Sequence, residues 1–173
     1  KNMKYAVIYE SATGNTKMLA DEIRNVLGER ECIFFGTPEE NTQSATEGAE
    51  ILFLGFWTDK GECSAGIRKY IETLYGRNIF LFGTAGFGGS EKYFSEILER
   101  VCVHLPEGNT VVGTYMCQGK MPESVRKRYE LMKEKMPQDD KVEMMIENFD
   151  KALPHPDQAD LTHLREKVTG LSI

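Results

Sequence analysis

Ser11, Thr13, Asn15 and Thr16 fall within one short stretch, separated by Ala12 and Gly14. Three hydroxyls and a carboxamide are neutral hydrogen-bond donors. At the start of a helix they would join the free N–H groups of the first turn, where the macrodipole favours negative charge. The chemistry is anion binding. No Arg or Lys lies inside the stretch, so a phosphate held there is held by neutral donors. The pattern matches neither the Walker loop G-x-x-x-x-G-K-[ST] nor the dinucleotide fingerprint G-x-G-x-x-G. An ordinary N-cap turn uses the same residue types.

Two further stretches could hold a flat ring. Gly55-Phe56-Trp57-Thr58-Asp59-Lys60-Gly61 carries the only tryptophan of the chain. Gly83-Thr84-Ala85-Gly86-Phe87-Gly88-Gly89 offers glycines that allow backbone to approach a ligand, and an aromatic without an obvious core slot. Either aromatic alone could pack locally. Both together, at the same edge as an anion loop, describe a site for a ring with a phosphate tail. Cys117, Gln118, Gly119 and Lys120 follow the last apolar run and either reach the ring edge or begin the next segment. Cys117 reads as a redox thiol or as a small buried side chain.

The elements that would position these residues alternate in type. Apolar runs predict strands over 4–9, 32–35, 50–56, 78–83 and 110–116. Helices are predicted over 15–27, stopped by Gly28, and over 64–75 and 90–103. Residues 36–48 are turn-rich and hold at most a short helix. Strands apolar on both faces, alternating with helices, imply an α/β fold with a parallel sheet covered on both sides. Five strands with an anion loop after the first imply the order 2-1-3-4-5, with ligands at the carboxyl ends of the strands. Three further helices are predicted over 122–136, 139–153 and 157–168. The last closes the sheet, which makes 122–153 a helical insertion within one domain. Val142, Met145, Ile146 and Phe149 form its apolar stripe. Its basic cluster, Arg126-Lys127-Arg128, suits partner selection near the cofactor edge, or a solvated helix face.

Composition narrows the classes of function. The chain has 173 residues and a net charge of -6, which suits one α/β domain and argues against nucleic acid as a partner. No apolar run is long enough to span a membrane, and no signal peptide is visible. The four scattered cysteines suit a reducing cytoplasm. Cys/His spacing fits no zinc site, and His104, His155 and His163 read as surface or helix-end residues.

The order S-x-T-G-N-T, between a strand and a helix, resembles the phosphate loop of flavodoxins, which wraps the terminal phosphate of FMN. G-T-A-G-F-G over 83–88 resembles the flavodoxin loop in which an aromatic between glycines covers one flavin face, and Phe87 takes that position. The resemblance covers about residues 5–116. It implies FMN held by Ser11, Ala12, Thr13, Gly14, Asn15 and Thr16. It places the ring among Phe56, Trp57, Thr58, Asp59, Lys60 and Gly61 on one side and Thr84, Ala85, Gly86, Phe87, Gly88 and Gly89 on the other. Cys117 and Gln118 would lie at its edge. In this family the inner shield usually stands four places after the strand-end glycine, here Asp59, whereas Trp57 is two places after Gly55. Either Trp57 swings in or backbone covers that face. Lys60–Gly61 is the peptide favoured to face flavin N5, because glycine permits the flip that accompanies reduction in the family. No side chain is assigned a catalytic role, since the flavin carries the chemistry and the protein tunes it. Apolar walls and net negative charge would lower its potential. The implied activity is shuttling electrons between redox partner proteins. G-F-W-T-D-K-G and the long C-terminal part also resemble flavodoxin-like components associated with bilirubin reduction in gut anaerobes.

Two other functions fit the same strand order. An NAD(P)H-dependent FMN reductase would need open space above the ring for a quinone or other small acceptor, and the insertion could wall it. A receiver-type signalling domain would place Glu10, Asp59, Thr84 and Lys120 in its site. It lacks the acidic pair after strand 1 and leaves T-G-N-T without a role.

Overall fold

The computed structural model describes residues 3–39 and 42–171. Its strands are β1 (Tyr5–Tyr9), β2 (Cys32–Gly36), β3 (Ile51–Asp59), β4 (Glu62–Cys63), β5 (Asn78–Ala85) and β6 (Thr110–Gln118). Its helices are α1 (Asn15–Leu27), α2 (Thr42–Ala45), α3 (Ala65–Ile71), α4 (Glu91–Val103), α5 (Glu123–Lys135), α6 (Asp140–Ala152) and α7 (Gln158–Thr169). The sheet order is β2-β1-β3-β5-β6, with β4 attached to β3. All pairs along the main path are parallel. That is the predicted 2-1-3-4-5 order with one added strand.

Period-two alternation sorts the apolar strand residues onto two faces. Ala6, Ile8, Leu52, Leu54, Ile79 and Leu81 pack with α3 and α4. Tyr5, Val7, Ile51, Phe53, Phe80 and Phe82 pack with α1 and α7. Phe53, Phe56, Phe80 and Phe82 are fully buried, each contributing about 1.5–3 kcal/mol. Phe56 and Phe82 stand toward the carboxyl ends of β3 and β5, and Phe53 and Phe80 nearer their starts.

Two glycines there serve packing. In the β3–β5 register, Gly55 lies opposite Phe82 and Gly83 opposite Phe56. A Cβ on Gly55 would enter the Phe82 ring, and one on Gly83 the Phe56 ring. The expectation that Gly83 makes room for a ligand is therefore corrected: it makes room for Phe56.

Strand lengths also differ from expectation. β3 continues through Trp57 and Thr58 to Asp59 and turns back through Lys60 and Gly61 into β4. Lys60 at φ 52 and Gly61 at φ 80 supply the positive φ of a two-residue hairpin. Trp57, Thr58 and Asp59 are thus strand residues, as are Cys117 and Gln118 at the end of β6.

α7 packs on α1 and β6, closing that face as predicted. Asp157 and Asp160 cap it reciprocally, and Arg165 Nη2 reaches Glu22 Oε2 on α1 at 2.6 Å. α5 and α6 pack on each other between β6 and α7. Within the predicted stripe Val142 and Phe149 are buried, while Met145 and Ile146 are half-buried. Among the described residues no helix is long and apolar enough to cross a membrane.

Candidate functional site

The loop between β1 and α1 leaves its backbone donors free. Gly14, at φ 87, is the N-cap of α1 and brings no side chain to it. Among the described residues the amides of Thr13, Gly14, Asn15 and Thr16 have no acceptor. The Ser11 hydroxyl oxygen accepts from the Lys17 N–H at 3.2 Å, which leaves its proton to donate outward.

The side chains of this loop are less free than the sequence suggests. Thr16 is fully buried; its hydroxyl donates to the Phe56 carbonyl at 3.1 Å and lies 3.1 Å from Thr84 Oγ1. It ties α1 to β3 and β5 and is not presented to a ligand. Asn15 Nδ2 donates to the Lys120 carbonyl at 2.8 Å, and Thr13 Oγ1 to the same oxygen at 3.4 Å. The β6–α5 loop therefore lies on the anion loop. Gly119 has to be glycine there, because a Cβ would enter the Asn15 carboxamide.

Beside this loop opens a cleft of about 710 Å3. Ala12, Thr13 and Asn15 line one end, and Trp57, Thr58, Asp59, Lys60 and Gly61 line the β3–β4 hairpin side. Thr84, Gly86 and Phe87 come from the end of β5. These predicted residues are brought together. Phe56 and Ala85 lie buried below. Ser11, Gly14, Thr16, Gly88 and Gly89 do not line the cleft, and neither do Cys117 and Gln118. The last two, with Gly89, border a neighbouring hollow with His155, Asp160 and His163.

The sequence offered the helical insertion as a possible wall without naming the residues that form it. Tyr93 of α4, Met121 of the β6–α5 loop and Pro122, Val125, Arg128 and Tyr129 of the insertion complete the cleft. Met121 also covers Gly86, where a Cβ would meet its side chain. α5 was visible as a helix, but nothing local assigned its Val125, Arg128 and Tyr129 face to the cleft.

The Phe87 loop is held from the insertion. Asn148 on α6 donates Nδ2–H to the Gly86 carbonyl at 2.8 Å and accepts the Gly88 N–H at 3.1 Å. Gln118 Nε2 donates to Asn148 Oδ1 at 3.1 Å and to the Gly86 carbonyl at 3.3 Å. One carboxamide thus grips the backbone on both sides of Phe87, which is 54% exposed. The hairpin opposite is held by Arg100, whose Nη1 donates to the Gly61 carbonyl at 3.0 Å.

Among the described residues the buried side-chain polar atoms without a partner are Asn15 Oδ1, Thr58 Oγ1 and Ser64 Oγ. Asn15 and Thr58 both line the cleft. Burying such an atom unpaired costs about 1–3 kcal/mol, so both atoms favour a polar partner in the cleft. Asn15 Oδ1 only accepts, which suits a ligand hydroxyl or N–H rather than a phosphate oxygen. The Thr58 hydroxyl can donate or accept.

The thiols and histidines stand apart from this chemistry. Burial pushes the Cys63 thiol up to about 11. Burial, reinforced by the Asp160 and Asp157 carboxylates, raises Cys117 further. Both are protonated at neutral pH and poor nucleophiles. His104 ends α4 and meets Glu62 at 3.2 Å. His155, Asp157 and Asp160 bring ligand atoms within 4.8 Å of one another, but Asp157 and Asp160 are engaged in the α7 cap.

The insertion's basic cluster divides. Arg126 forms a paired contact with Asp150 through Nε and Nη2, both at 3.1 Å, and also meets Glu130. It belongs to the α5–α6 packing. Lys127 and Arg128 stay exposed.

Fold and cleft define a flavodoxin-like α/β protein whose cleft opens at the carboxyl ends of β1, β3 and β5. The chain belongs to the flavodoxin family: residues 6–169 match the family model described as Flavodoxin domain. It is 43% identical over 172 residues to the flavodoxin-like domain-containing protein BilS of Clostridium symbiosum (strain WAL-14163), spanning 92% of this chain and 90% of that one. In structure it is similar to a short-chain flavodoxin associated with a bacterial microcompartment, with TM-score 0.59 at 12% identity over 98% of this chain and 96% of the other. It is also similar to a flavoprotein in complex with FMN from Lactobacillus acidophilus NCFM, with TM-score 0.51 at 13% identity over 66% of this chain and 93% of that one.

Proposed function

We propose that the cleft binds FMN and that the protein passes electrons between redox partner proteins. The observation that carries this is the set of unpaired amides at Thr13–Thr16 beside a cleft walled by Trp57, Phe87 and Tyr93. Those amides, with the Ser11 hydroxyl and a Thr13 hydroxyl turned from its 3.4 Å contact with the Lys120 carbonyl, would receive the phosphate at the positive end of α1. Asn15 Oδ1 would accept from a ribityl hydroxyl, and Thr58 Oγ1 would meet a polar edge of the ring. Trp57, Phe87 and Tyr93 would exclude water from its faces. When bound, the flavin supplies reversible electron and proton uptake, and no residue of the chain need form a bond. Family membership and a structural neighbour that holds FMN support this reading.

The test is the visible absorption spectrum of purified protein, followed by identification of the released cofactor. A flavin spectrum with FMN released is expected. A colourless protein that takes up no added FMN would refute the reading. The resemblance to bilirubin-associated components makes a bilirubin-reducing enzyme the first acceptor to assay.

One observation favours a second reading, an NAD(P)H-dependent FMN reductase acting on a quinone or other small acceptor. α5 walls the cleft through Val125 and Tyr129, as a reductase's acceptor pocket requires. Stopped-flow mixing with NADPH separates the two. A shuttle bleaches only when a partner reductase is added, whereas a reductase bleaches directly.

A further inference from the structure

The mouth of the cleft has the opposite charge to the molecule. Lys60 on the β3–β4 turn, Lys120 on the β6–α5 loop and Arg128 on α5 line it, against one carboxylate, Asp59. Lys127 stands next to Arg128 on α5, and all four cations are exposed. Among the described residues the Lys and Arg ion pairs use other cations: Lys17, Arg30, Arg68, Arg126, Lys133 and Arg165. The chain as a whole carries -6.

Surface charges act over roughly 8–10 Å at physiological ionic strength. A partner that reaches the mouth therefore meets these cations, and the negative surface elsewhere is screened. The cations come from three separate elements that border the cleft. Among them stands Phe87, half uncovered. An exposed aromatic beside charged, solvent-accessible side chains is the composition of a protein docking patch.

We propose that the cleft mouth is a cationic docking surface for the acidic face of a redox partner protein. This rests on the FMN reading, because only a flavin in the cleft makes its mouth the place where electrons leave. It also replaces the contiguous cluster read from the sequence, since Arg126 is already paired.

The sign of the local charge can be read with two small oxidants. The FMN-loaded protein is reduced with dithionite, freed of excess, and mixed with ferricyanide or hexaammineruthenium(III) at increasing ionic strength. Two ferricyanides take the two electrons of one reduced FMN, which releases its protons to solvent. The ferricyanide rate should fall several-fold between about 10 and 200 mM salt, and the ruthenium rate should rise. Lys127→Glu with Arg128→Glu, compared per bound flavin, should flatten or invert both slopes. Poly-L-glutamate should slow ferricyanide reduction where the same amount of free glutamate does not. A ferricyanide rate that rises with salt in the parent would overturn the proposal, since the net charge would then govern. Equal inhibition by polymer and monomer would also overturn it and assign the rim to small carboxylates. A protein that binds no flavin fails earlier, in the absorption spectrum, and overturns the FMN reading instead.

Discussion

Asn148→Ala should release the loop that carries Phe87 without unfolding the protein. The carboxamide supplies one hydrogen bond to the Gly86 carbonyl and one from the Gly88 N–H, and it receives a third from Gln118. Each partly buried hydrogen bond is worth about 0.5–1.5 kcal/mol net. Losing the two backbone bonds, with Gln118 still able to donate to Gly86, should lower the cost of opening the loop by about 2 kcal/mol. That is roughly a 30-fold rise in the open population. Hydrogen exchange at the Gly88 amide reads it directly. The exchange rate should rise by roughly that factor, while amides in β3 and β5 stay protected. Asn148→Asp keeps the acceptor for Gly88 but sets a carboxylate oxygen against the Gly86 carbonyl, so it should raise exchange at Gly88 less than alanine does. Unchanged exchange at Gly88 in both variants would show that the loop holds itself. It would remove α6 from any part in holding the Phe87 loop.

Thr58→Val should raise the melting temperature of the flavin-free protein, because it removes an unpaired buried hydroxyl. The same change should weaken FMN binding; stability and affinity falling together would mean the hydroxyl has a partner within the fold. Thr16→Val should cost about 2 kcal/mol, since it breaks the bond to Phe56 and strands Thr84. In thermal unfolding that is a drop of about 4–8 °C; an unchanged melting point would refute this structural role. A thiol reagent at pH 8 should modify Cys32 and Cys102 well before Cys63 and Cys117, which are each 4% exposed. Because burial raises the Cys63 thiol from 9.0 to about 11, only the unfolded chain ionises it in that interval. Its contribution should fall as pH climbs from about 9 to about 11, and Cys63→Ser should lessen the loss in alkaline unfolding.

What the sequence made legible was local. A five-residue apolar strand followed by hydroxyls, Gly14 and a run of helix formers identifies β1, the anion loop and α1, and α1 spans the predicted 15–27. The strand order followed from the alternation of strands and helices. The hairpin after β3 was hidden because its turn uses Lys60 at positive φ, where asparagine or aspartate is the usual signal. Gly83 looked like room for a ligand because its cross-strand pairing with Phe56 depends on register. The insertion's stripes were visible, but periodicity says which face is apolar and not what it meets. Tyr129 on the cleft wall and Asn148 on the Phe87 loop are products of tertiary docking. So is the Arg126–Asp150 pair, whose partners lie 24 positions apart.

The central claim is that neutral donors at the start of α1 hold a phosphate while the cleft holds the ring. Titration of flavin-free protein with FMN and with riboflavin, followed by quenching of flavin fluorescence, tests both halves. FMN should bind at least about tenfold more tightly than riboflavin, which corresponds to about 1.4 kcal/mol for the phosphate. Thr13→Ala should narrow that gap while changing riboflavin affinity little. Equal affinity for the two ligands, in parent and variant alike, would contradict the account.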